Sequence, residues 1–279
     1  MVDAATTAAS TLGASEATLE VAGLRKLFGD HLAVDDVTFS VPTSGSLAIV
    51  GESGSGKTTV AKMIVGLEAP TAGTIRACGR DRSLAARTSA ERRQRGREVQ
   101  IVFQDPYTSL DPRQTVEDTI DEVLRLHHGW PQERRRERIV ELTELVGLDA
   151  RQTRALPRTL SGGQRQRVAI ARALSAEPQV LILDESVAAL DVSIQAQVLN
   201  LLADIRDETA ISFVLISHDL AVVRQLTDET VVMWQGRIVE RGPTARVLDD
   251  PQDDYTKRLR ASVPRPGWKP QRRAVTEGG

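Results

Sequence analysis

The run GESGSGKTT at residues 51–59 constrains the fold more than any other part of the chain. It fits the spacing G-x-x-x-x-G-K-[ST], with Gly51, Gly56, Lys57 and Thr58 at the fixed positions and Ser53, Gly54 and Thr59 alongside. SLAIV (46–50) before it is an apolar run of strand character. TTVAKMIVGL (58–67) after it carries Val60, Ile64 and Leu67 at helical spacing. Small residues in such a loop let consecutive backbone N–H groups curl around the α- and β-phosphates of a nucleotide. The helix that follows points its positive dipole end at the same charge. Lys57 is then placed to reach the β/γ-phosphates, and the Thr58 hydroxyl to ligate Mg²⁺.

Two more strings supply groups for hydrolysis. VLILDE (180–185) is a buried apolar strand ending in two carboxylates. Asp184 is expected to hold Mg²⁺ through water and Glu185 to face the attacking water. An apolar strand ending in an acid is common, so this string gains its weight from following a phosphate-binding loop. ISFVLIS (211–217) reads as a parallel strand, and His218 follows it. Ligands of open α/β sheets bind beyond the C-terminal ends of the strands, which is where His218 is expected.

LSGGQRQR (160–167) introduces a second helix start. Ser161 precedes GGQRQRVAIARAL, in which Val168, Ile170, Ala171 and Leu174 suit a buried face, so Ser161 is the expected N-cap. Its hydroxyl and the free N–H groups of Gly162 and Gly163 make an anion site. One chain then holds two phosphate-binding helix N-termini, and a single γ-phosphate satisfies both if two subunits face head to tail.

With Gln104 in VFQDPYTSLDP (102–112), these strings in this order resemble the ATP-binding subunit of an ABC transporter, over residues 19 to about 243. The resemblance implies an α/β P-loop NTPase fold with an antiparallel β layer and an inserted α-helical subdomain. It implies ATP and Mg²⁺ as cofactors. LSGGQ, with Ser161, Gly162, Gly163 and Gln164, matches the signature that clamps the γ-phosphate of ATP bound to the opposite subunit. Gln104 matches the glutamine that senses Mg²⁺ and the attacking water beside the membrane subunit. His218 matches the switch histidine, Asp191 the D-loop aspartate, and Phe28 in KLFGD the aromatic ring that stacks on adenine. Glu185 is the implied catalytic carboxylate, acting with Lys57, His218 and Gln104.

A narrower resemblance rests on ESVAALDVSIQAQVLNLL (185–202), VFQDPYTSLDPRQTV (102–116) and the tail at 241–266. These resemble the ATPase subunits of oligopeptide, dipeptide and nickel importers; the P-x-x-x-Y-T-x-x-L spacing at 251–259 is common in that group. Two departures stand out. Ser186 occupies a position where the group usually has Pro, and Ala189 one where it usually has Ser. The implied partners are two membrane permeases, an identical or paralogous ATPase subunit and, through the permeases, an extracytoplasmic solute-binding protein, at the cytoplasmic face of the cell membrane. Nickel, glycoside and other solutes stay open beside peptides. A soluble ABC ATPase acting on ribosomes or DNA and a scaffold ATPase without transport are the competing classes. The first is disfavoured because neither a second cassette nor a long coiled-coil insertion is present, the second by the importer-type tail.

Composition bounds the remainder. The 279 residues suffice for one sizeable α/β domain with an inserted subdomain and are too few for two complete cassettes. A net charge of −2 gives no global field favouring nucleic acid. The lone cysteine, Cys78, excludes an internal disulfide. No apolar run approaches the ~18 residues that cross a bilayer. Residues 1–17, rich in Ala, Thr and Ser, read as a disordered tail. Residues 18–250 read as the ATPase domain, with its helical subdomain at about 105–175, and 251–279 as a C-terminal importer-type tail. In the helical part, Ile139, Leu142, Leu145 and Val146 are expected to form one apolar stripe. The arginine-rich runs at 92–97 and 134–138 read as solvated helix faces. VVMWQGRIVE (231–240) reads as a hairpin turning at Gln235 and Gly236.

Overall fold

The computed structural model describes residues 17–105, 109–188 and 190–261. The expected N-terminal tail up to residue 16, part of the segment after Gln104, Ala189 and the tail beyond 261 lie outside the described residues.

Two long strands, β1 (Ala17–Phe28) and β2 (His31–Pro42), pair antiparallel across a tight turn at 29–30. β1 thus starts one residue inside the stretch expected to be tail. β3 (Ser46–Val50) follows, then the phosphate-loop segment and helix α1 (Lys57–Val65). β4 (Ala72–Ala77) returns to pair with β1, and the short β5 (Arg80–Asp81) completes a four-stranded antiparallel layer in the order β2-β1-β4-β5. Leu67 departs from the expected helical stripe. Gly66 takes a left-handed conformation (φ 83°) and caps α1 after Val65, leaving Leu67 63% exposed.

Helix α2 (Ser89–Glu98) leads into β6 (Val99–Val102), after which the chain becomes helical: α3 (Val116–His127), α4 (Gln132–Leu145), α5 (Ala150–Thr153) and α6 (Gly162–Leu174). Three of these starts carry a reciprocal capping box, Thr115 with Asp118, Asp149 with Gln152 and Ser161 with Gln164. Ile139, Leu142 and Val146 of the expected stripe are buried, but Leu145 is 38% exposed. The buried positions run 139, 142, 143, 146, which is i, i+3, i+4, i+7. Thr143 takes the inner place because its hydroxyl is satisfied by donating to Ile139 O at 2.9 Å.

The chain then re-enters the sheet through β7 (Val180–Asp184), α7 (Val192–Glu208), β8 (Ser212–Ser217), α8 (Leu220–Leu226), β9 (Glu229–Trp234) and β10 (Arg237–Pro243). It closes with α9 (Thr244–Asp249) and α10 (Asp254–Ala261). The second sheet has the order β10-β9-β3-β8-β7-β6, parallel throughout except for the β9–β10 hairpin. The hairpin turns at Gln235 and Gly236, both at positive φ (47° and 81°), the geometry whose twist matches antiparallel strands.

Every residue of β3, β7 and β8 is buried, as a parallel sheet covered on both faces requires. Successive residues serve two cores. Leu47, Ile49, Val180, Ile182, Val214 and Ile216 face α1 and the antiparallel layer. Ala48, Val50, Leu181, Leu183, Phe213 and Leu215 face the core built on α3, α4, α6, α7 and α8. The fold is a layered α/β architecture with one antiparallel and one mainly parallel sheet. Among the described residues no helix is long and apolar enough to cross a membrane.

Candidate nucleotide site

Strand register sets the site. Val50 pairs with Ser217, and Ile216 with Asp184, so β3, β8 and β7 end level at one sheet edge. The residues that leave those ends are Gly51 onward, His218, and Glu185. Gln104 is exposed two residues past β6, whose Val102 pairs with Leu183 at the same edge.

The loop at 51–56 depends on two close backbone approaches. A Cβ on Gly51 would lie 2.2 Å from Met233 O, and one on Gly56, at φ 101°, would lie 2.5 Å from Ala33 O. The β9–β10 turn supports the loop from outside, Gly236 N–H donating to Ser55 O at 3.1 Å. Gly56 caps α1 without any side-chain hydrogen bond, so the first-turn N–H groups keep their donors directed outward. The Lys57 ammonium donates to Gly51 O and Glu52 O, each at 2.8 Å. Burial pulls the Lys57 pKa below its ordinary value, against the opposing pull of Glu185, Asp184 and Glu52.

The Thr58 hydroxyl donates to Asp184 Oδ1 at 3.2 Å. Burial pushes the Asp184 carboxyl upward and the neighbouring Glu185 charge adds to it, while the Thr58 bond and Lys57 act against the shift. Glu185 sits at φ 47°, a left-handed conformation that costs a non-glycine residue about 1–3 kcal/mol. Its N–H donates to Ile216 O at 2.9 Å, tying the strained residue to β8. His218 Nδ1 lies 3.3 Å from Glu185 Oε1. Ser186, at the position where the sequence departs from its group, is buried, and its hydroxyl has no hydrogen-bond partner.

A cavity of about 280 Å³ opens above the loop. Phe28, Ser53, Gly54, Gly56, Lys57, Thr58, Thr59 and Glu185 of the expected set line it, together with His31 and Ala33, which sequence reasoning missed. Nothing in the residue types of the β1–β2 turn singled out those two; only strand pairing brings them beside Phe28. The Phe28 ring is 43% exposed, with the Lys26 ammonium 4.6 Å from its centroid. That lysine is fixed by Ala69 O at 2.8 Å and Glu68 at 3.0 Å.

The remaining expected residues do not line this cavity. Ser161 caps α6, its hydroxyl accepting from Gln164 N–H while Gln164 Oε1 accepts from Ser161 N–H. Asp191 caps α7, accepting from Ile194 N–H at 3.0 Å. Gly163 faces α7 so closely that a Cβ would lie 2.2 Å from Ile194 Cγ2.

The residues fit a magnesium nucleotide. The uncapped α1 start offers N–H donors suited to phosphate, with Ser53 and Lys57 lining the same cavity. Thr58 and Asp184 offer hard oxygen ligands. Among the described residues no group of three or more His, Cys, Asp or Glu side chains is placed to hold a metal ion by itself. A metal ion held by Thr58 and Asp184 would take its remaining ligands from phosphate and water oxygens.

A strand–loop–helix phosphate cradle, facing an Asp-Glu strand end across a mainly parallel sheet and roofed by an antiparallel layer, defines the class of ATP-binding cassettes. Known proteins agree. The pattern of the ABC transporter family matches residues 34–188, and the chain belongs to that family. The oligopeptide transport ATP-binding protein OppD of Mycobacterium tuberculosis is 44% identical over 243 residues, covering 87% of this chain and 39% of that protein. The chain thus spans well under half the length of OppD. The di/tripeptide transport ATP-binding protein DppF of Pseudomonas aeruginosa is 42% identical over 243 residues, covering 86% of this chain and 75% of that protein. Among solved structures, cbiO1 from Clostridium perfringens, part of the ABC transporter complex cbiONQ, superposes with a TM-score of 0.75 at 27% identity, over 84% of this chain and 91% of its own. A dimeric ATP-binding cassette in a post-hydrolysis state, bound to ADP and Pi, gives 0.73 at 27% identity, over 81% and 98%.

Proposed function

We propose that this chain binds and hydrolyses ATP at the cavity above residues 51–59 and thereby energises uptake of oligopeptides or dipeptides. The observation that carries the catalytic part is the convergence of Lys57, Thr58, Asp184, Glu185 and His218 on one sheet edge. The names of its OppD and DppF relatives support the peptide part.

In this reading Phe28 offers one ring face to adenine, its other face being occupied by Lys26. Loop N–H groups and the α1 start bind the phosphates, and Lys57 exchanges its carbonyl partners for the β/γ-phosphates. Thr58 and Asp184 would hold Mg²⁺, and Gln104 would act from the end of β6 at the same sheet edge. The ion, when bound, neutralises charge on the β- and γ-phosphate oxygens. Glu185 takes a proton from the attacking water, and His218 and Lys57 stabilise charge developing on the transferred phosphoryl group. Ser161, Gly162, Gly163, Gln164 and Asp191 act on ATP held by a second, identical or paralogous subunit, which explains why they stand outside this chain's own cavity. Loss of the shared γ-phosphate lets the two subunits part, a ligand-driven shift between two conformations. Two membrane permeases at the cytoplasmic face of the membrane receive that motion, and a solute-binding protein delivers peptide to them.

Phosphate release from Mg-ATP by the wild-type chain, and by Glu185→Gln and Ser161→Arg variants alone and mixed, tests the shared site. Each variant alone is expected to be inactive, and mixing is expected to change activity or assembly. A wild-type chain that binds no ATP would overturn the reading. Uptake of labelled di- to pentapeptides by cells with and without the chain tests the substrate class; unchanged peptide uptake removes it.

A further inference from the structure

The spacing P-x-x-x-Y-T-x-x-L at 251–259 marks a tail that the hydrolytic site does not use. In the fold its tyrosine reaches the phosphate loop. Glu52 N–H donates to Tyr255 Oη at 2.8 Å, from positions 203 residues apart. Tyr255 is 4% exposed, and its ring stacks on Trp234, centroids 5.5 Å apart and planes 24° apart. We propose that Tyr255 is a positioning residue for the phosphate loop, fixing the Glu52 peptide so that the loop binds nucleotide tightly. This rests on the nucleotide-site reading above.

The helix bearing Tyr255 is itself anchored. The Glu240 carboxylate on β10 accepts from Gln252 N–H at 2.8 Å and Asp253 N–H at 3.2 Å. Asp253 Oδ1 accepts from Tyr255 N–H at 2.8 Å, and Arg260 donates to Asp249 O at 2.8 Å. The phenol oxygen is therefore held by the core sheet rather than by a free tail.

Glu52 is the first loop residue after Gly51, and both sides of it are bonded. Its N–H goes to Tyr255, while its carbonyl, like that of Gly51, accepts from Lys57 Nζ. A phosphate chain that draws Lys57 toward itself must compete with those two carbonyls. Tyr255 is a restraint on Glu52 that does not pass through Lys57, since it bonds to the Glu52 N–H while Lys57 bonds to the carbonyl. With Gly236 N–H on Ser55 O, the loop is braced at 52 and 55 from the C-terminal side of the fold. Losing the Tyr255 bond thus loosens the loop most when Lys57 has turned to the ligand. The cost falls on nucleotide affinity rather than on the chemical step.

Tyr255→Phe removes the oxygen and keeps the ring on Trp234. Calorimetric titration of the full chain with Mg-ADP is expected to show affinity about 3- to 10-fold weaker, the worth of one hydrogen bond. Turnover at saturating Mg-ATP should stay within about twofold, and the nucleotide-free chain, which has the same bond, should melt about 2–4 °C lower. Equal affinity in wild type and variant overturns the proposal. So does weakened binding accompanied by an equally large loss in Trp234→Phe, since packing would then account for both. Hydrogen exchange of the wild-type Glu52 amide is a second test that needs no variant: a protected amide is expected, and exchange at the rate of an unstructured peptide overturns the proposal. Failure of the wild-type chain to bind Mg-ADP would instead sink the nucleotide reading itself.

Discussion

His218 Nδ1 stands 3.3 Å from Glu185 Oε1, although the two residues leave adjacent strands through separate turns. Glu185 is held by a bond from its own N–H to β8, the strand that delivers His218, so the pair moves with one strand end. In the proposed reading, Glu185 would accept a proton from water beside the His218 ring, which would face the reacting phosphate.

Glu185→Gln keeps an oxygen for His218 and removes the base. Phosphate release is expected to fall at least about 100-fold, the usual contribution of a positioned general base. Mg-ATP binding should remain within a few fold, because the loop and Lys57 are untouched. Near-normal turnover would remove Glu185 from the chemical step.

Asp184→Asn tests the opposite side of the site. Burial raises the Asp184 pKa above its ordinary 3.8, so the folded chain holds this proton more tightly than the unfolded one. Stability therefore falls as pH rises from about the ordinary value through the raised one, and stays lower above it. The amide avoids that cost and still accepts from Thr58. At pH 7, without nucleotide, the variant is expected to melt higher than wild type, and the gain should vanish as pH falls toward 3.8. Mg-ADP should reverse the order, since the variant lacks the carboxylate that would hold the ion in the proposed reading. Scanning calorimetry from pH 4 to 8 with and without Mg-ADP decides; a variant less stable at every pH contradicts the argument.

Much of the fold was legible because SLAIV, VLILD and SFVLIS are continuous apolar runs, which only strands covered on both faces require. The antiparallel layer was legible in short alternating runs such as VTFSV (37–41) and TIRACG (74–79), and the resemblance implied it as well. Local pattern failed where tertiary packing chose between neighbours, as at Leu145 and Thr143, or where backbone geometry ended a helix early, as at Gly66. In the site, residues with a fixed spacing could be named in advance. His31 and Ala33 reach the cavity only through the register of β1 on β2, and Tyr255 reaches Glu52 across almost the whole chain. Sequence spacing carries no trace of such contacts beyond the tail pattern around Tyr255.

Asp35 joins the antiparallel layer to the turn that supports the phosphate loop. Its buried carboxylate accepts from Arg25 at 2.6 Å and from Arg237 Nε at 2.7 Å, and its N–H donates to Gly236 O at 2.9 Å. The hydrogen-bonded Arg237 guanidinium holds the carboxyl below 3.8 against the opposing effect of burial, and Arg25 adds to it. A depressed acid stabilises the fold above its unfolded pKa and ceases to as pH falls through the folded one. Asp35→Asn should therefore melt below wild type at pH 7, with the gap closing as pH drops below 3.8. A gap independent of pH would assign the loss to packing rather than charge.

The two signature glycines separate packing from ligand binding. At Gly163 an added Cβ would lie 2.2 Å from Ile194 Cγ2, and this methyl belongs to a β-branched side chain that cannot swing away freely. At Gly162 the nearest atom, Leu190 Cδ2, lies at 3.7 Å, an ordinary contact. Gly163→Ala is expected to cost about 1–3 kcal/mol of stability, the range for forcing a methyl into a packed interior. Ile194→Ala removes the opposing methyl, so the double variant should lose less than the sum of its parts. Gly162→Ala should leave stability within about 0.5 kcal/mol, since the half-buried position has room for a methyl. Its expected loss lies in ATP turnover by the paired subunits, where the N–H groups at the α6 start would meet the partner's γ-phosphate. Urea denaturation of the four variants beside Mg-ATP hydrolysis reads both effects. Strict additivity at 163 and 194, or a Gly162→Ala variant destabilised as much as Gly163→Ala, would show that α6 meets α7 differently from the contact at Ile194.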